Sequence, residues 1–416
     1  MSILFKNVDW VVTQNSKREI LKNKSIYIED GKIVEIDSPK VEADHVIDGK
    51  GKVLLPGLIN SHTHSSMSLF RGYADDMELK PWLEEKIWPL EAKLKPKDCY
   101  IGSQLACLEM IKFGVTCFND MYLFVDEIAK AVKESELRCF LGEVIFDWNH
   151  DKIPYFEKFV KKWLKDDLVT PVVNPHAPYS CNDETLIKLK EISDKYNLLT
   201  HMHVVESEKE VKSVECLDKL GILDDKFIAV HCNWLTDNDV DIFSKRNCSV
   251  VHCPTSNMKL ANGRMPPLKK MFEKNIRVGL GTDGCASNNN LDMFEEMKNC
   301  SLINKFQERD PTFISAQKTL DLVTIEPAKI FGIDDKIGSV EEGKIADMIL
   351  VDFKKPHLQP VYGKSTVISN LVYSCRGGDV DSTVVNGKVL MKNRKILTLD
   401  ENEIFENVQK VIEKFI

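Results

Sequence analysis

Between about Val53 and Phe331, short apolar runs alternate with amphipathic stretches, and no other feature of the chain limits its fold so tightly. The strand-like runs are Val53–Asn60, Val115–Asn119, Cys139–Phe146, Thr170–Pro175, Leu198–Val204, Phe227–Val230, Cys248–Val251 and Arg277–Gly281. Helical periodicity fills the gaps, for example over Asp98–Lys112, Thr185–Tyr196 and Ser207–Leu220. A helix between two strands returns the chain to the same end of the sheet, so such strands run parallel. Eight of them predict an α/β protein built on a closed (β/α)8 TIM-type barrel. The competing doubly wound sheet would want a glycine-rich phosphate turn after an early strand, and no Gly-x-Gly-x-x-Gly occurs.

The two ends have a different texture. Ile3–Phe5, Trp10–Val12, Ser25–Ile28 and Lys32–Ile36 are β-rich, with a hairpin turn at Glu29-Asp30-Gly31-Lys32. The far end repeats this with Asp347–Val351 and Ser382–Leu390, the latter turning at Asn386-Gly387. The last stretch, Glu401–Ile416, reads as a short amphipathic packing helix.

Composition removes several classes of function. With 56 basic and 64 acidic side chains the net charge is −8, so a broad basic footprint for nucleic acid is not expected. The patch Lys161-Lys162-Trp163-Leu164-Lys165 reads as a solvated helix face. No apolar run approaches the roughly 18 residues of a membrane span, so no membrane partner is expected. The first ten residues lack the apolar core of a signal peptide, and the 12 cysteines form no Cys-x-x-Cys pair. They read as reduced, mostly buried thiols of a cytoplasmic protein.

What points to chemistry is where the polar residues fall. The predicted strands end at, or carry, His62 and His64, Glu143, His176, His201 and His203, His231, His252, and Asp283. In a (β/α)8 barrel the strand ends form one rim, the face that carries active sites. Seven of the 10 histidines fall on it; His45, His150 and His357 do not. His62 and His64 are two apart, so on an extended segment both imidazoles point to one side, and His201 and His203 repeat the relation. Nitrogen-rich ligation with a carboxylate suits Zn2+, or Fe2+, better than magnesium or calcium.

Several segments together resemble the amidohydrolase superfamily, and within it the 5-methylthioadenosine/S-adenosylhomocysteine deaminases. They are Pro56-Gly57-Leu58-Ile59-Asn60-Ser61-His62-Thr63-His64, Trp82-Leu83 with Trp88-Pro89-Leu90-Glu91, and Pro175-His176-Ala177-Pro178-Tyr179-Ser180-Cys181. His201–Glu208, His252–Asn257 and Gly281-Thr282-Asp283-Gly284 complete the set, and the likeness runs over essentially the whole chain. The resemblance implies a barrel over residues 55–339, beside a small β-sandwich domain built from both termini, 1–54 and 340–416. It implies one zinc held by His62, His64, His203 and Asp283. It further implies Glu206 as general acid, His231 and Asp283 as the other catalytic residues, and a nucleoside bound by Glu91, His176, Glu206, Asp283 and Trp82. Dimers or tetramers are common among such proteins, so a homo-oligomer is expected on the same ground.

The implied reaction is hydrolytic deamination of an adenosine-type nucleoside (5′-methylthioadenosine, 5′-deoxyadenosine, adenosine or S-adenosylhomocysteine) to the inosine analogue and ammonia. One departure bears on the substrate. Members that take S-adenosylhomocysteine place arginines after the third strand, whereas no arginine occurs here between Arg138 and Arg246. Lys152 and His150 lack the planar fork of arginine, and Glu143 would repel a carboxylate if it faced the pocket. A neutral 5′ group is therefore expected. The rival readings are a deaminase of aminodeoxyfutalosine, guanine or triazine rings, a cyclic-amide hydrolase, and an inactive scaffold. Binuclear amide hydrolases use a lysine at the end of strand four, where this chain has Val173-Asn174-Pro175-His176. A scaffold would be free to lose ligands, yet every ligand position is filled.

Overall fold

The computed structural model describes residues 1–37, 41–208, 210 and 214–415. Its barrel strands are Leu58–Thr63, Val115–Tyr122, Arg138–Ile145, a fourth in two pieces (Val169–Pro171 and Asn174–Pro175), Thr200–Val204, Phe227–His231, Ser249–His252 and Val278–Leu280. Successive strands pair in parallel. Parallel bridges at Val173–Thr200 and Thr63–Asp283 join the two arcs into a closed ring. The second bridge sets Asp283 directly against the strand that ends at His62-Thr63-His64.

Near the strand starts, Ile59, Cys117, Phe140 and Ile228 pack with Ala328, Phe331 and Ile337, which follow the barrel. The rings of Phe140 and Phe331 stack at 4.4 Å. This end is filled with apolar side chains, so polar groups gather at the opposite rim.

The expected first strand, Val53–Asn60, is in fact two strands of different sheets. Lys52–Pro56 pairs antiparallel with Met348–Asp352 in the terminal sheet, and Leu58–Thr63 opens the barrel. Gly57 is the joint: a Cβ there would lie 2.0 Å from Thr116 Oγ1. Only a residue without a side chain lets the chain change sheets so close to the second barrel strand. The expected helices appear as Pro96–Lys112 and Asp183–Tyr196. Of Ser207–Leu220 only Val214–Lys219 is helical among the described residues, and 209 and 211–213 lie outside them.

Strands from both termini form one nine-stranded sheet. Ile3, Phe5, Ile26, Ile28, Leu54, Met348, Leu350 and Val384 share a core of their own. The two hairpin turns meet, since a Cβ on Gly387 would come within 2.3 Å of Gly31 Cα, so the sheet folds over on itself around that core. The helix Glu401–Ile412 leans on the barrel helix Pro96–Lys112, tied there by Lys112–Glu401 at 2.5 Å and Lys414–Asp98 at 2.8 Å. No helix among the described residues is long and apolar enough to cross a membrane.

Candidate metal and substrate site

At the rim, His62, His64, His203 and Asp283 converge. His62 Nε2 and His64 Nε2 lie 3.3 Å and 3.2 Å from Asp283 Oδ1, and His203 Nε2 lies 3.3 Å from His62 Nε2. One ligand atom from each of His62, His64 and His203 lies within 4.8 Å of the others. Two ligands bound tetrahedrally to one zinc, at about 2.0–2.1 Å each, stand about 3.3 Å apart.

Hydrogen bonding sharpens the fit. His64 Nδ1 meets the Met121 carbonyl at 2.6 Å, and His203 Nδ1 meets the His176 carbonyl at 2.8 Å. A carbonyl only accepts, so both Nδ1 atoms carry hydrogen and each neutral ring turns its Nε2 lone pair into the cluster. There the lone pairs face a carboxylate oxygen and another imidazole, an arrangement that is repulsive unless a proton or a cation lies between. Burial opposes charge on His64, but the Asp283 carboxylate beside it raises the ring to about 9. Burial holds His62 down at about 3 and His203 well below the usual histidine range, so both present neutral nitrogens. Asp283 stays ionised well below the usual carboxylate range, because both histidines outweigh its burial. The donor set fits a divalent ion such as zinc.

Backbone conformation at the strand ends aims these groups. Asp283 and His231 have φ of 64° and 67°, and Val205 has φ 48°. Left-handed conformations are unusual away from glycine, most of all for a β-branched residue. At Val205 the turn brings the Glu206 carboxylate back into the cleft two residues after strand five ends.

Glu206 is buried, with its Oε2 3.9 Å from His231 Nε2 and its Oε1 accepting from Asn262 Nδ2 at 3.1 Å. Burial pushes its carboxyl up, only partly offset by His231. His231 Nδ1 is held by Asn257 Oδ1 at 3.0 Å. Asp283 Oδ2 accepts from Ser256 and Ser287 at 2.7 Å and 3.0 Å. His176 packs on the Phe146 ring at 4.3 Å, meets Ser180 Oγ at 2.8 Å and is held neutral by burial, near 3.

One cleft contains all of this. His64, His176, His203, Glu206, His231 and Asp283 line its floor, and Glu91 lines it beside Tyr122. A wall of Leu79, Trp82, Leu83, Ile87 and Trp88 comes from one helical run, Leu79–Glu91, whose middle, Trp82–Ile87, is a π-helix between Pro81 and Pro89. Trp82 is both 6% exposed and part of the wall, so it serves core and pocket together.

Other rim residues behave differently. Glu143 does not face the cleft. Its Oε1 accepts from Lys152 Nζ at 2.7 Å and its Oε2 from the Val125 amide at 3.1 Å, so the pair satisfies itself. The concern that Glu143 repels a ligand carboxylate is therefore corrected, and Lys152 is engaged as well. His201 is buried against His62 with ring centres 4.9 Å apart, and His252 meets Asn304 Nδ2 at 3.3 Å; neither joins the ligand cluster. Sequence reasoning missed Tyr122, Asn257, Asn262 and Ser287. Asn257 and Ser256 stand in a segment already singled out, and their placement one helical turn past strand seven was the available signal.

Residues 53–390 match the Amidohydrolase family, and the chain belongs to it. It is 46% identical to a 5′-deoxyadenosine deaminase of Methanosarcina acetivorans, over 100% of this chain and 98% of that one. It is 40% identical to a 5-methylthioadenosine/S-adenosylhomocysteine deaminase of Halothermothrix orenii, over 99% of each. Among solved structures it resembles an adenosine deaminase from Xanthomonas campestris with bound zinc, with a TM-score of 0.95 and 31% identity, over 99% of this chain and 98% of that one.

Proposed function

We propose that this protein hydrolytically deaminates an adenosine-type nucleoside carrying a small neutral 5′ group, giving the inosine analogue and ammonia. One observation carries the reading: a carboxyl that burial favours in its acid form, Glu206, stands in the same cleft as the three-histidine, one-aspartate cluster. The kinship with deaminases of 5′-deoxyadenosine and related nucleosides supports the substrate class.

In this reading His62, His64, His203 and Asp283 hold the metal, which when bound supplies water activated for attack at neutral pH. Glu206 delivers its proton to N1 of the adenine ring, so that C6 can accept the incoming oxygen. Asp283 takes one proton of the attacking water and passes it to the amine, so that the C6–N bond breaks after the C6–O bond has formed, and the proton left on the C6 oxygen returns to Glu206 as the carbonyl forms. His231, fixed by Asn257, orients that water and stabilises the charge that develops. Glu91 accepts hydrogen bonds from the ribose diol, and His176 contacts the base. Lys152, the cation in the segment after strand three, is paired to Glu143, and this favours the neutral 5′ group over the amino-acid end of S-adenosylhomocysteine.

The test is ammonia release from 5′-deoxyadenosine, methylthioadenosine, adenosine, S-adenosylhomocysteine, aminodeoxyfutalosine and guanine by zinc-loaded protein. Activity is expected on the first three, lost in His203→Ala. Glu206→Gln should still bind nucleoside but lose about 10²–10⁴ in kcat. Silence on every adenosine overturns the substrate class, a preference for S-adenosylhomocysteine overturns the neutral 5′ group, and near-normal turnover by Glu206→Gln removes its role.

A further inference from the structure

A second buried carboxylate, on the helix Met293–Glu308, lies behind the cleft rather than in it. Glu296 is 0% exposed and has no salt bridge among the described residues. Its two oxygens hold two different segments, the short helix Pro254–Lys259 after strand seven and the loop after strand eight. Oε1 accepts from Asn288 Nδ2 at 2.7 Å, and Oε2 accepts from the Thr255 amide at 3.3 Å.

Each segment leads to the site. The same Asn288 amide donates to the Thr282 carbonyl at 2.7 Å, one residue before Asp283. Thr282 is gripped from its other side by Asn60, whose Oδ1 accepts its amide at 3.0 Å and whose Nδ2 donates to its hydroxyl at 2.7 Å. That grip holds Asp283 in its left-handed conformation, φ 64°. On the other arm, Thr255 precedes Ser256, which donates to Asp283 Oδ2 at 2.7 Å, and Asn257, which holds His231 Nδ1 at 3.0 Å. One side chain thus fixes the helix after strand seven and the loop after strand eight relative to each other. Between them those segments orient both oxygens of Asp283, Oδ1 through the Gly284 amide and Oδ2 through Ser256 and Ser287, and the ring of His231.

We infer that Glu296 is a positioning residue, which sets Asp283 for metal binding and His231 for catalysis through Asn288 and Thr255. The inference rests on the proposed reading of Asp283 as a ligand. A buried acid with no cationic partner is costly to keep in a fold. Burial raises this one to about 8, and the hydrogen bonds its two oxygens accept from Asn288 and Thr255 oppose that shift. Partners one shell behind a metal ligand characteristically change metal affinity or turnover by about 10–100-fold when removed.

The control lies at the start of the same helix. Asp292 is also a buried carboxylate, but it accepts from the amides of Phe294 and Gly377 and has no arm to the site. Zinc affinity is measured by competition with a chromophoric chelator for the wild type, Glu296→Ala, Asn288→Ala and Asp292→Asn, alongside kcat and KM. The first two variants are expected to bind zinc about 10–100-fold more weakly, and when zinc-saturated to lose kcat with KM within about twofold. Asp292→Asn should keep the wild-type zinc affinity. Should Glu296→Ala fail to fold, Asn288→Ala decides alone, since it cuts the strand-eight arm and leaves the helix intact. Wild-type zinc affinity and kcat in the folded clamp variants, or an equal loss in Asp292→Asn, would overturn the assignment. The chelator competition needs no substrate, so a wrong nucleoside class leaves its outcome intact, whereas a wild type that binds no zinc fails the reading of the ligands themselves.

Discussion

At the scale of single residues, burial decides which protonation state each polar group offers. His176 and His62 are held near 3 and are neutral, whereas burial pushes Glu91 up to about 7, the nearby Tyr122 hydroxyl and His64 opposing it. A carboxylate accepts the two hydrogen bonds of a diol better than a carboxylic acid does. Its ionised form is gained as pH rises through about 7, so KM for the nucleoside should fall across that range. Glu91→Gln should raise KM and flatten the profile. An unchanged profile in that variant would assign the titration to another group.

The elements show how backbone geometry places those residues. Gly57 separates a strand of the terminal sheet from a strand of the barrel, and its hydrogen lies where Thr116 leaves no room for a methyl group. Gly57→Ala should cost about 1–3 kcal/mol through overpacking, read as a lowered denaturation midpoint, with Thr116→Ala recovering part of the loss. Full stability in Gly57→Ala would show that the joint has slack. The joint also explains why one expected strand became two. Periodicity reports that Val53–Asn60 is extended and apolar, but says nothing about which neighbour each half pairs with. The π-helix over Trp82–Ile87 is likewise a product of packing between two prolines, and its wall residues look in the sequence like any amphipathic helix.

For the molecule as a whole, the ring of strands closes where Thr63 meets Asp283, and the proposed ligands come from strands one, five and eight. A cation bound there ties together segments more than two hundred residues apart. Because it binds the folded state preferentially, removing it should lower Tm, and added zinc should restore it in a concentration-dependent way. A Tm indifferent to exhaustive chelation would mean that the cluster is fully organised by its own protons.

The barrel, the β-rich ends and the rim of histidines could be read along the chain, because strand alternation, turn residues and two-residue spacing are local patterns. Spacing likewise placed His62 and His64 on one side of a strand end, whereas the choice of His62, His64, His203 and Asp283 as proposed ligands came from the family resemblance. Long-range contacts decided the rest. Glu143 and Glu206 are alike as letters, yet Lys152 and the Val125 amide turn one away from the cleft while the left-handed turn at Val205 brings the other in. His201 and His203 have the same local pattern, and only the closed ring separates the one packed against His62 from the one whose Nε2 meets the cluster. The two arms of Glu296 reach 41 residues back to Thr255 and 8 back to Asn288, a convergence that exists only once strands seven and eight lie side by side.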